Sequence, residues 1–165
     1  MIFDIKMGEK FCRKARFVAG VHMMDNPTKL THASVVSRDL VGILLNIAAF
    51  NGLEILSCDI QNAYFTAECQ EKIWTRAGPE FGAESGMIMI FRMPLYGLKS
   101  NGAEFRAHLD KTLNDNGLLS TNEDSGVQYQ PAVKPNGFEY CEYILCYVDG
   151  ILCISHDPGI VLGRI

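Results

Sequence analysis

The stretch Tyr140–Asp157, YCEYILCYVDGILCISHD, decides how the chain is read. Two apolar runs flank Asp149-Gly150, and Asp-Gly between apolar runs signals a tight β-hairpin turn. On that ground Asp149 is turn chemistry. Yet it stands at the tip of two apolar strands beside Tyr147 and Val148, where a carboxylate could also hold a metal. The local sequence leaves both readings open.

Working outward, the segment before the hairpin is loop and weak strand: SGVQYQ, then PAVKPNGFE. AEFRAHLDKTLNDNG reads as a helix with Ala103, Phe105, Leu109 and Leu113 inward and Gly117 ending it. SRDLVGILLNIAAFNG is the clearest helix. Ser37 can cap it, Asp39 suits its first turn, Leu40, Leu44 and Ile47 share a face, and Gly52 can stop it. It is apolar nearly all round, which predicts deep burial. LEILSCDIQNAYF follows as a strand ending near Asp59, MIMIFRM is a short strand, and CRKARFVAGV is a strand with Lys14 and Arg16 on one face. This order predicts an α+β fold, with helices packed on one face of a mainly antiparallel sheet.

The chain has 165 residues, enough for one domain with a real core, and a net charge of −4. Nucleic-acid binding wants cations, so any such role needs local basic patches or basic parts outside this chain. The six cysteines include no C-x-x-C pair, and Cys69, His22, His32, His108 and His156 suggest no metal site. The reading is reduced thiols in an intracellular protein, with no secretion signal and no membrane span. Trp74 is expected to be a packing residue rather than a base-stacking platform.

The chemistry then turns on two carboxylates. Asp59 ends one apolar strand and Asp149 tips another, and a buried-strand carboxylate is costly unless solvated or paired. Side by side they would repel, and a divalent cation would relieve that. Two aspartates alone do not decide the matter.

Several blocks taken in order do. RKARFVAG, the run from SVVSRDL through DIQNAYF to EKIW, LYGLKSNGAEFRAHL and EYILCYVDGILCISHD are similar to successive conserved blocks of the reverse transcriptase of copia-type LTR retrotransposons. The resemblance implies a right-hand polymerase: residues 1–52 and 69–94 mainly fingers, 53–68 and 95–160 mainly palm, with thumb, connection and RNase H absent. It implies two-metal nucleotidyl transfer with Mg²⁺ or Mn²⁺ at Asp59 and Asp149, with Ile60 contributing through its backbone. Lys14 and Arg16 match positions near the triphosphate. Tyr64 matches the aromatic beneath the incoming sugar, with Phe65 beside it. Gly97, Leu98 and Lys99 match the loop before the palm helix. The implied partners are an RNA or DNA template–primer and dNTPs, with missing polyprotein parts or a full-length relative as further candidates.

The chain departs from the family pattern. The family hairpin carries two aspartates, whereas Tyr147-Val148-Asp149-Gly150 has glycine second. The carboxylate cluster is thereby reduced to Asp59 and Asp149, which predicts impaired catalysis, while Gly150 is expected to serve the turn. Glu104-Phe105 replaces a pair that commonly ends in Trp. Ile160–Ile165 do not obviously match the family and read as a frameshift tail. A non-catalytic nucleic-acid-binding or structural remnant is the alternative reading.

Overall fold

The computed structural model describes residues 2–6, 12–16, 18, 33–67, 69 and 72–165. In chain order the strands are β1 (Ile2–Lys6), β2 (Cys12–Arg16), β3 (Glu54–Asp59), β4 (Trp74–Arg76), β5 (Ile88–Ile90), β6 (Leu119–Ser120), β7 (Val127–Val133), β8 (Glu139–Tyr147) and β9 (Gly150–Ser155). The helices are α1 (Arg38–Asn51), α2 (Asn101–Asp115) and α3 (Pro158–Leu162). Each pairing between these strands is antiparallel, so the mixed helix and antiparallel-sheet class is as expected. None of the described helices is long and apolar enough to cross a membrane.

The chain forms two compact units: Met1–Thr31 with Tyr64–Phe105, and His32–Ala63 with Arg106–Ile165. These bounds differ from the segments expected for fingers and palm, since residues 32–52 cluster with the large sheet. The first unit contains the ribbons β1-β2 and β4-β5. The second contains a five-stranded sheet in the order β3-β9-β8-β7-β6.

Local sequence accounts for α1. The Ser37 side chain accepts from the Leu40 amide at 3.3 Å, which satisfies one orphan donor of the first turn. Gly52 ends the helix at φ 55°, a left-handed conformation that glycine adopts without steric cost. Lys134 bonds the terminal carbonyls of Asn51 and Gly52, placing a cation on the negative helix end. The core joins Leu44 and Ala48 of α1 to Val127, Leu145 and Ile154 of the sheet.

Deep burial of α1 is not found. Phe50 is 87% exposed and Ile43 is 54% exposed, because only one stripe of the helix meets the sheet. The single-face expectation is also corrected. Along β7, Val127 joins the α1 cluster, whereas its neighbour Gln128 donates to Asp110 of α2 at 2.6 Å. Successive strand residues point to opposite faces, so α1 and α2 cover opposite faces of the sheet.

Pro131 lies inside β7, where a proline normally breaks a ladder. It is tolerated because β6 pairs only with Gln128 and Tyr129 and ends short of Pro131 on that side. The terminal residues are not a loose tail. Asp157 caps α3 by accepting from the Ile160 amide at 3.2 Å, and Val161 is buried.

Candidate active site at the Asp59 and Asp149 strand ends

β3 runs along β9 in a register that ends with Asp59 opposite Gly150. One residue on, the Ile60 amide donates to the Asp149 carbonyl at 2.9 Å. The ladder therefore brings the main chains of Asp59 and Asp149 together at one end of the sheet. Asp59 is exposed and Asp149 half-buried. The carboxylates stand where apolar strands reach solvent, which spares them the desolvation they would meet deeper in the sheet.

The hairpin differs in detail from its sequence reading. Tyr147 pairs with Gly150, so the two-residue loop is Val148-Asp149. Val148 has φ 54°, and it and Asn62 are the non-glycine residues of positive φ among those described. Positive φ at the first loop position and not the second is the φ pattern of a type II′ turn. Gly150 is the first strand residue and keeps an ordinary φ, so the turn does not need a glycine there. A Cβ added at Gly150 would meet the Tyr147 carbonyl oxygen at 3.3 Å, a contact relieved by a shift of a few tenths of an ångström. The backbone could carry an aspartate at this position.

Behind the hairpin lies an open, mostly apolar cavity of about 290 Å³, lined by Val36, Val41, Ser57, Tyr147 and Leu152 among others. Cys58, next to Asp59, has its thiol pKa raised, first by burial and then by the Asp59 carboxylate. On the α2 face, Arg106 and Asp110 form an ion pair at 2.7 Å, and Arg106 bonds the Ser125 carbonyl. Burial raises the Cys146 pKa, against a lowering contribution from Arg106. Sequence reading passed over this pair. Its only signal was the i,i+4 spacing of opposite charges on a helix.

The other candidates fall in the first unit. Tyr64 is half-buried and packs edge-on against Tyr96, with ring centroids 5.4 Å apart, and against Phe105 at 5.9 Å. Phe65 meets Tyr96 at 5.6 Å. Gly97 has φ 91°, so the backbone itself calls for glycine. Leu98 is buried and Lys99 exposed. The main chains of Lys14 and Arg16 lie in β2, opposite Asp4 and Ile2; their side chains lie outside what the structure describes, as do His22 and His32. Trp74 is not a packing residue: it is 63% exposed.

Among the described residues no group of three or more His, Cys, Asp or Glu could hold a metal ion. Two carboxylates are a donor set of the kind one hard divalent cation takes, since Mg²⁺ commonly uses one or two carboxylates and completes its shell with water and substrate phosphates.

Comparison with known proteins assigns a family. The family model for reverse transcriptase (RNA-dependent DNA polymerase) matches residues 4–163. The match runs through residue 163, which corrects the reading of a frameshift tail for Ile160–Gly163. The chain is 25% identical over 129 residues to the retrovirus-related Pol polyprotein from transposon TNT 1-94 of Nicotiana tabacum, covering 77% of this chain and 9% of that protein. It is 31% identical over 94 residues to the transposon Ty1-BL Gag-Pol polyprotein of Saccharomyces cerevisiae, covering 56% of this chain and 5% of that protein. The chain thus spans under a tenth of either polyprotein. No solved structure matches it. Both the family match and these relatives lead to one assignment: the chain belongs to the reverse transcriptase family, in its copia-type branch.

Proposed function

We propose that this chain is a fingers and palm portion of an RNA-directed DNA polymerase whose nucleotidyl-transfer site keeps two of three carboxylates and is impaired as a result. The observation that carries the reading is the β3-β9 register, which sets Asp59 opposite Gly150 while Ile60 bonds Asp149. The large sheet of the second unit is the palm in this reading, and the ribbons of the first unit are the fingers.

Asp59 and Asp149 would hold a divalent cation. Because the Ile60 N–H is committed to Asp149, any backbone contribution from Ile60 falls to its carbonyl. The bound cation would stabilise charge on the phosphoryl oxygens during attack of a primer 3′-OH on the α-phosphate of a dNTP, with pyrophosphate leaving. Tyr64 would sit beneath the incoming sugar and exclude a ribose 2′-OH by its bulk, with Phe65 supporting it through the shared contact with Tyr96. Lys14 and Arg16 would face the triphosphate, and the Gly97-Leu98-Lys99 loop the template or nucleotide. Without a third carboxylate the primer 3′-OH is poorly placed, and a displacement of ~1 Å can cost on the order of 100-fold in rate.

The test is primer extension on an RNA template with Mg²⁺ or Mn²⁺, comparing the unmodified chain with Gly150→Asp. The expected result is little extension by the unmodified chain and a gain of at least about tenfold in the variant, within the loss that misplacement entails. Robust extension by the unmodified chain would overturn the impairment. No gain in Gly150→Asp would show that the missing carboxylate is not the limiting defect.

A further inference from the structure

We propose that β3 pairs edge to edge, antiparallel, with β3 of a second copy of the chain, joining the two five-stranded sheets into one. β3 is an outer strand of its sheet. All six of its residues are exposed, and Ile55 and Leu56, which point to opposite faces, are each 44% exposed. The hairpin fixes which main-chain groups point outward. Tyr147 and Gly150 flank a two-residue loop, so the Gly150 main chain points to β8, and that of Asp59, opposite Gly150, points away from β9. The Ile60 amide, bonded to Asp149, keeps the same alternation. The amides and carbonyls of Ile55, Ser57 and Asp59 therefore line the free edge, and among the described residues nothing bonds them. Such an open row of donors and acceptors is a template for another strand. The opposite edge is guarded: β6 has only two residues, and beyond it β7 carries Pro131 and runs into Lys134. β3 has no proline, lysine or glycine.

The edge is complementary to itself. A two-fold axis through Leu56 sets Leu56 against its own copy, Ile55 against Ser57 and Glu54 against Cys58. Ile55 and Ser57 then exchange main-chain hydrogen bonds on both sides of the axis. The two Leu56 side chains meet at a non-hydrogen-bonded pair, where opposite residues stand closest, and both leave solvent. Like charges directly opposite would disfavour pairing, and here neither carboxylate of the strand faces another: Glu54 meets Cys58, and Asp59 meets Leu53. Moving the axis by one residue loses this fit. Centred on Ser57, the pairing puts Ile55 against Asp59; centred on Ile55, it puts Leu56 against Glu54. A two-fold contact closes on itself, so two copies satisfy both edges. That self-fit favours a second copy over an unrelated strand. The inference stands on the β3 edge and does not depend on Asp59 and Asp149 holding a cation.

Disulfide trapping reads the register. The full chain is equilibrated in a buffer of reduced and oxidised glutathione with EDTA, and mass spectrometry locates the bridges in any covalent dimer. In Leu56→Cys the two introduced thiols occupy a pair with Cα atoms about 4.5 Å apart, within disulfide reach. In Glu54→Cys the introduced thiol faces the native Cys58 of the second copy. Within one chain these two positions are about 14 Å apart along the strand, so only two copies can form that bridge. Both variants should give covalent dimers bridged at those positions, while the unmodified chain forms no Cys58–Cys58 bridge. Sedimentation velocity of the unmodified chain should show a reversible dimer. Ser57→Pro should weaken it about tenfold or more, because it removes an outward amide from each copy and leaves the β9 ladder intact. Leu56→Lys, a charge at the centre of the junction, should weaken it likewise. Circular dichroism checks that the variants fold. A chain that sediments as a monomer throughout the concentration series would overturn the proposal. So would a dimer unchanged in both folded variants, which would join the copies elsewhere. Absence of the expected bridge in both cysteine variants would also overturn it.

Discussion

The Ile60 amide donates to the Asp149 carbonyl at 2.9 Å, one step beyond the last β3-β9 pair, Asp59 and Gly150. That bond closes the ladder at the end where both aspartates stand. It makes the geometry of the Asp149 loop depend on the end of β3. Changes at the hairpin tip should therefore be felt at Asp59.

Val148 is the first such change to test. A β-branched residue at φ 54° is strained, at a cost on the order of 1–3 kcal/mol. Val148→Gly relieves that strain but adds unfolded-state freedom. The expected net effect is a stabilisation of up to about 1 kcal/mol in urea unfolding. Clear destabilisation would mean that the Val148 side chain contributes packing that outweighs its backbone cost.

The Arg106–Asp110 pair makes a second prediction. Arg106 is buried, and Asp110 also accepts from Gln128 at 2.6 Å. Arg106→Ala leaves a carboxylate against the sheet with one hydrogen-bond partner fewer. The expected loss is about 2–3 kcal/mol, below the range for fully buried pairs because Asp110 keeps some solvent contact. The double variant Arg106→Met/Asp110→Leu should lose less than either single variant, since neither charge is then left unpaired. Chemical denaturation of Arg106→Ala, Asp110→Leu and the double variant checks the order.

Much of this was legible in sequence, and the failures share a physical cause. Ser37, Asp39 and Gly52 announced α1 correctly because caps are local chemistry. Leu109 and Leu113 are buried on α2 and Gly117 follows it at φ 90°, again as the local signals indicated. The hairpin was legible, but its turn was assigned one residue late: Asp-Gly is a strong local signal, and the β3-β9 and β8-β9 registers override it. The exposure of Phe50 and Trp74 was not legible, because an apolar side chain reads alike whether or not something covers it. Which sheet face each helix covers was also hidden, since alternation gives two faces without saying what lies on either.

Alkaline pH should weaken the second unit. Burial, with smaller contributions from Glu142 and Cys58, pushes the Cys153 thiol from 9.0 up to about 12. Burial likewise raises Cys146, Cys58 and Tyr143. A group raised in the folded state favours folding fully below its unfolded pKa. That contribution is lost as pH climbs from about 9 towards about 12, because the unfolded chain releases its proton first. The urea midpoint should fall across that window, and Cys153→Ala should flatten the fall. A midpoint that stays level to about pH 11 would contradict this.

The central claim is that Asp59 and Asp149 act together on one cation. Mn²⁺ titration followed by electron paramagnetic resonance tests it directly, since free and bound Mn²⁺ give different signals. The unmodified chain should bind Mn²⁺ at a single site, Asp59→Asn and Asp149→Asn should each abolish that binding, and Gly150→Asp should tighten it. Binding that survives both Asp→Asn substitutions would contradict the account.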